Sequence, residues 1–314
     1  MALYLFPQAA WSFQPSPIIV TLPTVPTLKH VNSTPFIALP PPPTFKPVND
    51  IPLTRNLLTQ VLSYLSEQLY RSFRRQVRLV VHGGAVMVLH PSFSHREFTQ
   101  DVDYIHRSFV SEYRALGFQD AEQRLRTCIA ETAYRFNLGA DWMNDHADVA
   151  LPWALDQQSR TYDPIYHEST LQQNAAAQTI FNERGLALVA VPWPWAIALK
   201  LVRYAKKDPE DCAAVLRLGA CQRGIRWTVS GLEQWISERC WPMQYSKYQP
   251  AQKAQLRERL QDALGRAFPE SYSPQSQSQS SSPAQSLSRS QTLLSPLSFA
   301  PLQQPKNEIP LYFL

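Results

Sequence analysis

The stretch from Val77 to His106 restricts what this chain can fold into more than any other. It reads VRLVVHGGAVMVLHPSFSHREFTQDVDYIH. Val77 to Val81 is rich in β-branched residues, as a strand is. The run ends at His82, Gly83 and Gly84, a tight turn, and the apolar residues Ala85 to Leu89 continue as a short helix. Pro91 to Gln100 reads as a loop. Asp101 to His106 then alternates polar and apolar, the pattern of a half-buried strand, and the period of two turns Asp101 and Asp103 to the same face.

Helical spacing surrounds this segment. Leu58, Val61, Leu62, Leu65, Leu69 and Phe73 form one apolar stripe after Pro52. Helices are expected over Ser108 to Leu116 and over Asp120 to Phe136, where Leu125, Cys128, Ile129, Thr132 and Phe136 share a stripe. Ala147 to Trp153 and Leu186 to Val191 read as further strands. From Trp195 the chain is helical again through ALKLVRYAKK, and Asp208-Pro209 marks a new helix start, Asp as cap and Pro at the first helical position. More helices follow at about 230–239 and 251–267. The expected class is α/β (α+β): a mixed β-sheet packed with helices, plus C-terminal helices. There is no internal repeat.

Composition separates this core from its ends. The first 50 residues hold 11 of the 27 prolines, including Pro40 to Pro43, and the chain after Phe268 is dominated by Ser, Gln and Pro. The division expected is a Pro-rich disordered tail over 1–50, one domain over 51–268 and a Ser/Gln/Pro-rich disordered tail over 269–314. The tails offer polyproline ligands and phosphorylation sites to partners, or serve as unconstrained linkers.

The formal charge of +5 is modest. Its one concentrated patch, Arg71, Arg74, Arg75 and Arg78, reads as a phosphate contact or as a solvated helix face. Cys128, Cys212, Cys221 and Cys240 lack both zinc-knuckle pairing and the density of a secreted disulfide scaffold, so reduced thiols are expected. The N-terminal MALYLFPQAAWSF lacks a basic n-region and is broken by Pro7, and no segment is apolar enough to span a bilayer. The expected location is cytoplasmic, with the nucleus also open, and no membrane partner.

Three features of the central segment suit a nucleoside triphosphate (NTP). Gly83 and Gly84 carry no Cβ, so the amides at the start of the next helix can approach a phosphate. Asp101 and Asp103 offer a hard cation such as Mg2+ (or Mn2+) carboxylate ligands, with waters and phosphate oxygens completing the shell. Arg96 and Thr99, just upstream, can steady the loop or the phosphates.

A strand ending in Gly-Gly, a short helix, a loop with Arg and Thr, and then Asp-x-Asp resembles the nucleotidyltransferase superfamily. That superfamily has the polymerase-beta-like fold, and the likeness is to its toxin-like branch. ALKLVRYAKKDPEDCAAVL, residues 198–216, is similar to that branch's lysine helix followed by an Arg/Lys-Asp-x-x-Asp helix. The resemblance covers about 140 residues, from Val77 to Leu216, in about a dozen motif-like positions. It implies that Lys200 contacts nucleotide phosphates and that Asp208 and Asp211 help form the cleft.

It also implies a third carboxylate on a later strand. Leu186 to Trp193 (LALVAVPW) carries no acid. Asp148 is the first candidate, and Asp145 or Asp141 the second, with backbone capping or an exposed edge as the plain alternatives. His82, His90, His95 and His106 fit no zinc spacing. His82 beside the glycines reads as a phosphate contact or a structural histidine, and Lys200, Arg203 and Lys207 share a helical face that can equally be solvated. Trp142, Trp153, Trp193 and Trp195 suit base stacking or core packing.

Two functions follow as expectations. One is a metal-dependent nucleotidyltransferase moving an NMP group from an NTP to a hydroxyl of a protein, RNA or small molecule. Asp101, Asp103 and Asp148 would act in catalysis, and Gly83, Gly84, Arg96, Thr99 and Lys200 would hold the nucleotide. The other is a catalytically inactive domain of the same kind that binds a nucleotide or a partner. A passive core whose tails recruit partners is a third possibility.

Overall fold

A computed structural model of the chain describes residues 46–270. In chain order these form β1 (Leu53–Thr54), α1 (Arg55–Phe73), β2 (Val77–His82), α2 (Gly84–Leu89), β3 (Phe98–Thr99), β4 (Val102–Tyr104), α3 (His106–Ala115) and α4 (Ala121–Phe136). Next come β5 (Met143–Asn144), a 3-10 turn over His146–Ala150, β6 (Ala154–Leu155), β7 (Thr161–Tyr162), α5 (Pro164–Thr170) and α6 (Gln172–Gln178). The unit closes with β8 (Thr179–Asn182), β9 (Leu186–Ala190), α7 (Trp193–Arg203), α8 (Asp208–Arg223), α9 (Val229–Arg239) and α10 (Pro250–Ala267).

The architecture is mixed α/β. Five strands form one sheet in the order β5-β4-β2-β9-β8. β2 runs antiparallel to β4 and parallel to β9, β4 runs parallel to β5, and β8 returns antiparallel to β9. The two central strands, β2 and β9, are apolar almost throughout, which suits strands covered on both faces. α1 buries its expected stripe of Leu58, Val61, Leu62, Leu65, Leu69 and Phe73. Thr54 caps it by accepting from the Leu57 N–H.

The folded unit reaches further toward the N-terminus than composition suggests. Asn49, expected in the tail, is buried. Its amide donates to the carbonyls of Ile51 and Gln100, its side-chain oxygen accepts from Gly139 N, and its backbone N–H donates to Asp141 Oδ1 at 2.6 Å. A Cβ on Gly139 would collide with the Val48–Asn49 backbone, so glycine permits this docking. The segment therefore pins the loop that leads directly into Asp101. Residues 1–45 and 271–314 of the expected tails lie outside the described residues.

The strand expected over Ala147 to Trp153 is not formed. His146–Ala150 is a 3-10 turn, flanked by β5, which ends at Asn144, and β6, which begins at Ala154. The alternation there does not mark a half-buried surface, because Val149 is 94% exposed and Pro152 has no N–H for a ladder. The segment between α5 and β9 adds α6 and β8, which no clear periodicity announces. The four cysteines are free thiols, three of them buried. No described helix is long and apolar enough to cross a membrane.

Candidate functional site

The site is built where β2 ends against β4. Gly83 follows β2 with φ +72°, a backbone conformation that disfavours any side chain. A Cβ there would lie 2.5 Å from Asp103 Oδ2. A Cβ on Gly84 would collide with Thr99 Oγ1 and lie 2.6 Å from Arg96 Nη2. The glycine pair, the second aspartate, Arg96 and buried Thr99 therefore form one close-packed unit. Both glycines are needed because the space beside them is filled by the side chains of Asp103, Thr99 and Arg96. The helix they open, α2, has six residues, too short for its dipole to matter much at the turn.

His82 pairs with Asp103 across the β2/β4 ladder, and Asp103 pairs with Asn144 across β4/β5. Paired residues share a face, so His82, Asp103 and Asn144 form the floor, with Asp101 two residues away on the same side. Burial raises the Asp101 carboxyl above its ordinary range, and the charge of Asp103 raises it further, partly offset by the Asn144 amide. Burial also raises Asp103, with Arg203 and Lys200 as the strongest opposing charges. Neither acid has a salt-bridge partner among the described residues.

A second acidic pair arranges the cations. Asp211 is fully buried on α8 and accepts from His95 Nε2 at 2.8 Å, Arg96 Nη1 at 2.7 Å and Lys200 Nζ at 2.7 Å. Burial opposes its charge, yet these three partners hold it below the ordinary carboxylate range. Asp208 takes Arg203 through both oxygens at 3.0 and 3.1 Å and lies 3.6 Å from Lys200. Despite its own burial, it too is held low, by Arg203, the Ala205 N–H and Lys200. Lys200 is thus a buried, doubly countered cation and not a solvated one. Arg203 keeps a side chain 69% exposed, and the charges of Asp103 and Asp101 both act on it.

The candidates for a third carboxylate go elsewhere. Asp141 accepts from Asn49, and Asp145 pairs with Arg126 at 3.1 Å. Asp148 turns Oδ2 to the N–H groups of His106 and Arg107, each at 2.9 Å, and so caps α3. No group of three His, Cys, Asp or Glu side chains able to hold one ion occurs among the described residues. Asp148, the first candidate for the third carboxylate, therefore forms no three-group cluster with Asp101 and Asp103 and instead caps α3. The position beside Asp103 on the neighbouring strand belongs to Asn144.

His82 is buried and its ring is held neutral, with its pKa lowered to about 4 by loss of solvation. His90 packs against Phe93 and Trp193, and Phe93 against His95, an aromatic wedge that seats the loop carrying Arg96. Trp142 and Trp195 are core residues, whereas Trp153 is half exposed. The sequence reading missed His95, Asn144 and Arg203 as parts of the site. For His95 the only available signal was its position next to Arg96, and Asn144 required knowledge of the strand register.

Comparison with protein-family models, with curated proteins and with solved structures finds nothing that matches this chain. Its geometry alone carries the functional argument.

Proposed function

We propose that this chain is a metal-dependent nucleotidyltransferase of the polymerase-beta-like kind, moving an NMP group from an NTP to a hydroxyl acceptor. One observation carries the reading. The glycine turn and the second aspartate interlock, Gly83 leaving room for Asp103 Oδ2 and Gly84 for Thr99 and Arg96. A turn whose amides can meet phosphate is thereby fixed beside a pair of under-neutralised carboxylates.

Those carboxylates suit Mg2+ or Mn2+. They are two oxygen donors on one face, raised by burial and without a counter-ion of their own. Asp101 and Asp103 would hold the ion, which would supply charge neutralisation at the phosphates; the acceptor hydroxyl oxygen bonds to the α-phosphorus, the bond to pyrophosphate breaks, and the hydroxyl proton passes to solvent. The protein's part is positioning. Asp211 locks Arg96 and Lys200 beside the turn, and Arg203, anchored by Asp208, offers a fixed cation to the departing pyrophosphate.

A second reading has its own support: a domain of the same fold that binds the nucleotide without transferring it. Asn144, not an acid, stands next to Asp103, so no carboxylate on β5 is placed to take the acceptor's proton. Transfer of label from α-labelled NTPs to a mixture of protein, RNA and small-molecule hydroxyls distinguishes the two. Labelling that needs Mg2+ or Mn2+ and is lost in Asp101→Asn/Asp103→Asn supports transfer. Metal-dependent binding without labelling selects the second reading, and a folded protein that neither binds nor labels overturns both.

A further inference from the structure

Beyond the acid pair, the same side of the sheet carries two buried polar atoms with nothing to bond. His82 Nε2 and Asp148 Oδ1 are both enclosed and lack a hydrogen-bond partner. Such orphans are costly in a folded protein and mark a place where a ligand group or water completes the structure. They belong to one neighbourhood: among charged groups, Asp148 acts most strongly on His82, and His82 is the ladder partner of Asp103. Asp148 has already committed Oδ2 to the start of α3, which leaves Oδ1 as an acceptor for a ligand N–H.

An aromatic platform adjoins them. Arg107, whose N–H is one of those held by Asp148, is fixed by Asp163 Oδ2 at 2.8 Å and by the carbonyls of Asp148, Leu151 and Pro152. Its guanidinium lies 3.8 Å from the centre of the Trp153 ring. Trp153 is nevertheless 51% exposed, and Val149 and Leu155 beside it are exposed too. A large ring held on one face by an immobilised cation and open elsewhere is a preorganised stacking surface.

We propose that Trp153, seated on Arg107, is the platform on which the nucleobase of the bound NTP stacks, while Asp148 Oδ1 and His82 Nε2 meet the edge of the base. This rests on the NTP-binding reading above and names the part of the cleft that recognises the ring. Of the four tryptophans with a base-stacking reading in the sequence, Trp142 and Trp195 are buried, and Trp193 is packed between His90 and Phe93.

The test compares Mg2+-ATP, Mg2+-GTP and Mg2+-tripolyphosphate, which has phosphates but no base, binding to wild type, Trp153→Ala and Trp153→Phe. For the nucleotide bound more tightly, Trp153→Ala is expected to weaken binding about tenfold, in keeping with the loss of one base-aromatic stack. Trp153→Phe should recover most of it, and tripolyphosphate affinity should stay unchanged in both variants. Purine riboside triphosphate, which keeps the ring but offers no N–H from the base, should bind wild type more weakly than that nucleotide. Equal ATP and GTP binding by wild type and Trp153→Ala overturns the platform. An equal loss for tripolyphosphate also overturns it, because the residue would then act through structure. If wild type binds tripolyphosphate but no nucleotide more tightly, the base site fails while the phosphate site stands. If it binds neither, the NTP reading fails and the platform with it.

Discussion

The molecule holds two pairs of closely spaced aspartates, and they are treated in opposite ways. Asp208 and Asp211, on α8, are buried and neutralised by His95, Arg96, Lys200 and Arg203, so that both carboxyls sit below their ordinary range. Asp101 and Asp103, at β4, are partly buried, receive no salt bridge among the described residues and sit above it. A buried charge without partners is expensive, and a folded protein keeps such a feature where something else is to bind. The first pair organises the scaffold, and in the proposed function the second holds charge in reserve for a ligand.

Substitutions in the two pairs should therefore give opposite results. The largest effect is expected for Asp211→Ala, which leaves Lys200 buried with only a longer contact to Asp208 and strips Arg96 and His95 of their shared anchor. The loss should be about 3–5 kcal/mol, measured by denaturant unfolding. A loss below about 1 kcal/mol would make the hub an ordinary surface pair. Gly83→Ala comes next. Its positive φ and the contact of the new Cβ with Asp103 Oδ2 should cost about 1–3 kcal/mol and displace the carboxylate. Unchanged stability and unchanged nucleotide binding would show that the interlock is slack.

The pH dependence of stability sharpens the contrast. For Asp208 and Asp211 the folded-state pKa is depressed, so their contribution is present above the unfolded-state carboxylate value and is lost as pH falls through the folded one. For Asp101 and Asp103 the folded-state pKa is raised. In the metal-free protein their relative contribution is favourable below the unfolded value and is lost as pH rises through the folded one. Unfolding midpoints measured from mildly acidic to neutral pH should therefore fall more steeply with rising pH in wild type than in Asp101→Asn/Asp103→Asn. Parallel curves would mean that the pair is not frustrated. The smallest effect is the stability of that double variant without metal at neutral pH. Its midpoint should exceed wild type by on the order of 2 °C, whereas a lower midpoint would assign the acids a structural role.

Much of this contrast is legible in the sequence, though unevenly. The stripe of α1 and the apolar β2 and β9 follow from periodicity, because burial on one or both faces imposes it. Gly83, Gly84 and the common face of Asp101 and Asp103 follow from local stereochemistry. Which partners each acid finds does not. The union of His95, Arg96 and Lys200 at Asp211 spans over a hundred residues of chain, and Asn144 meets Asp103 only through strand register. Asp148 was misplaced because its alternating neighbours mimic a strand, although Val149 is solvent-exposed and the acid caps α3. Asn49 lay in a proline-rich stretch whose composition hid one buried, fully engaged side chain.

The most direct test of the account is calorimetric titration of the four NTPs, with and without Mg2+ or Mn2+, into wild type and into Asp101→Asn/Asp103→Asn, whose side chains are nearly the same size. The account predicts metal-dependent binding of at least one NTP by wild type and its loss in the variant, with the variant folded and no less stable. Equal binding by both proteins, or none by folded wild type, would contradict it.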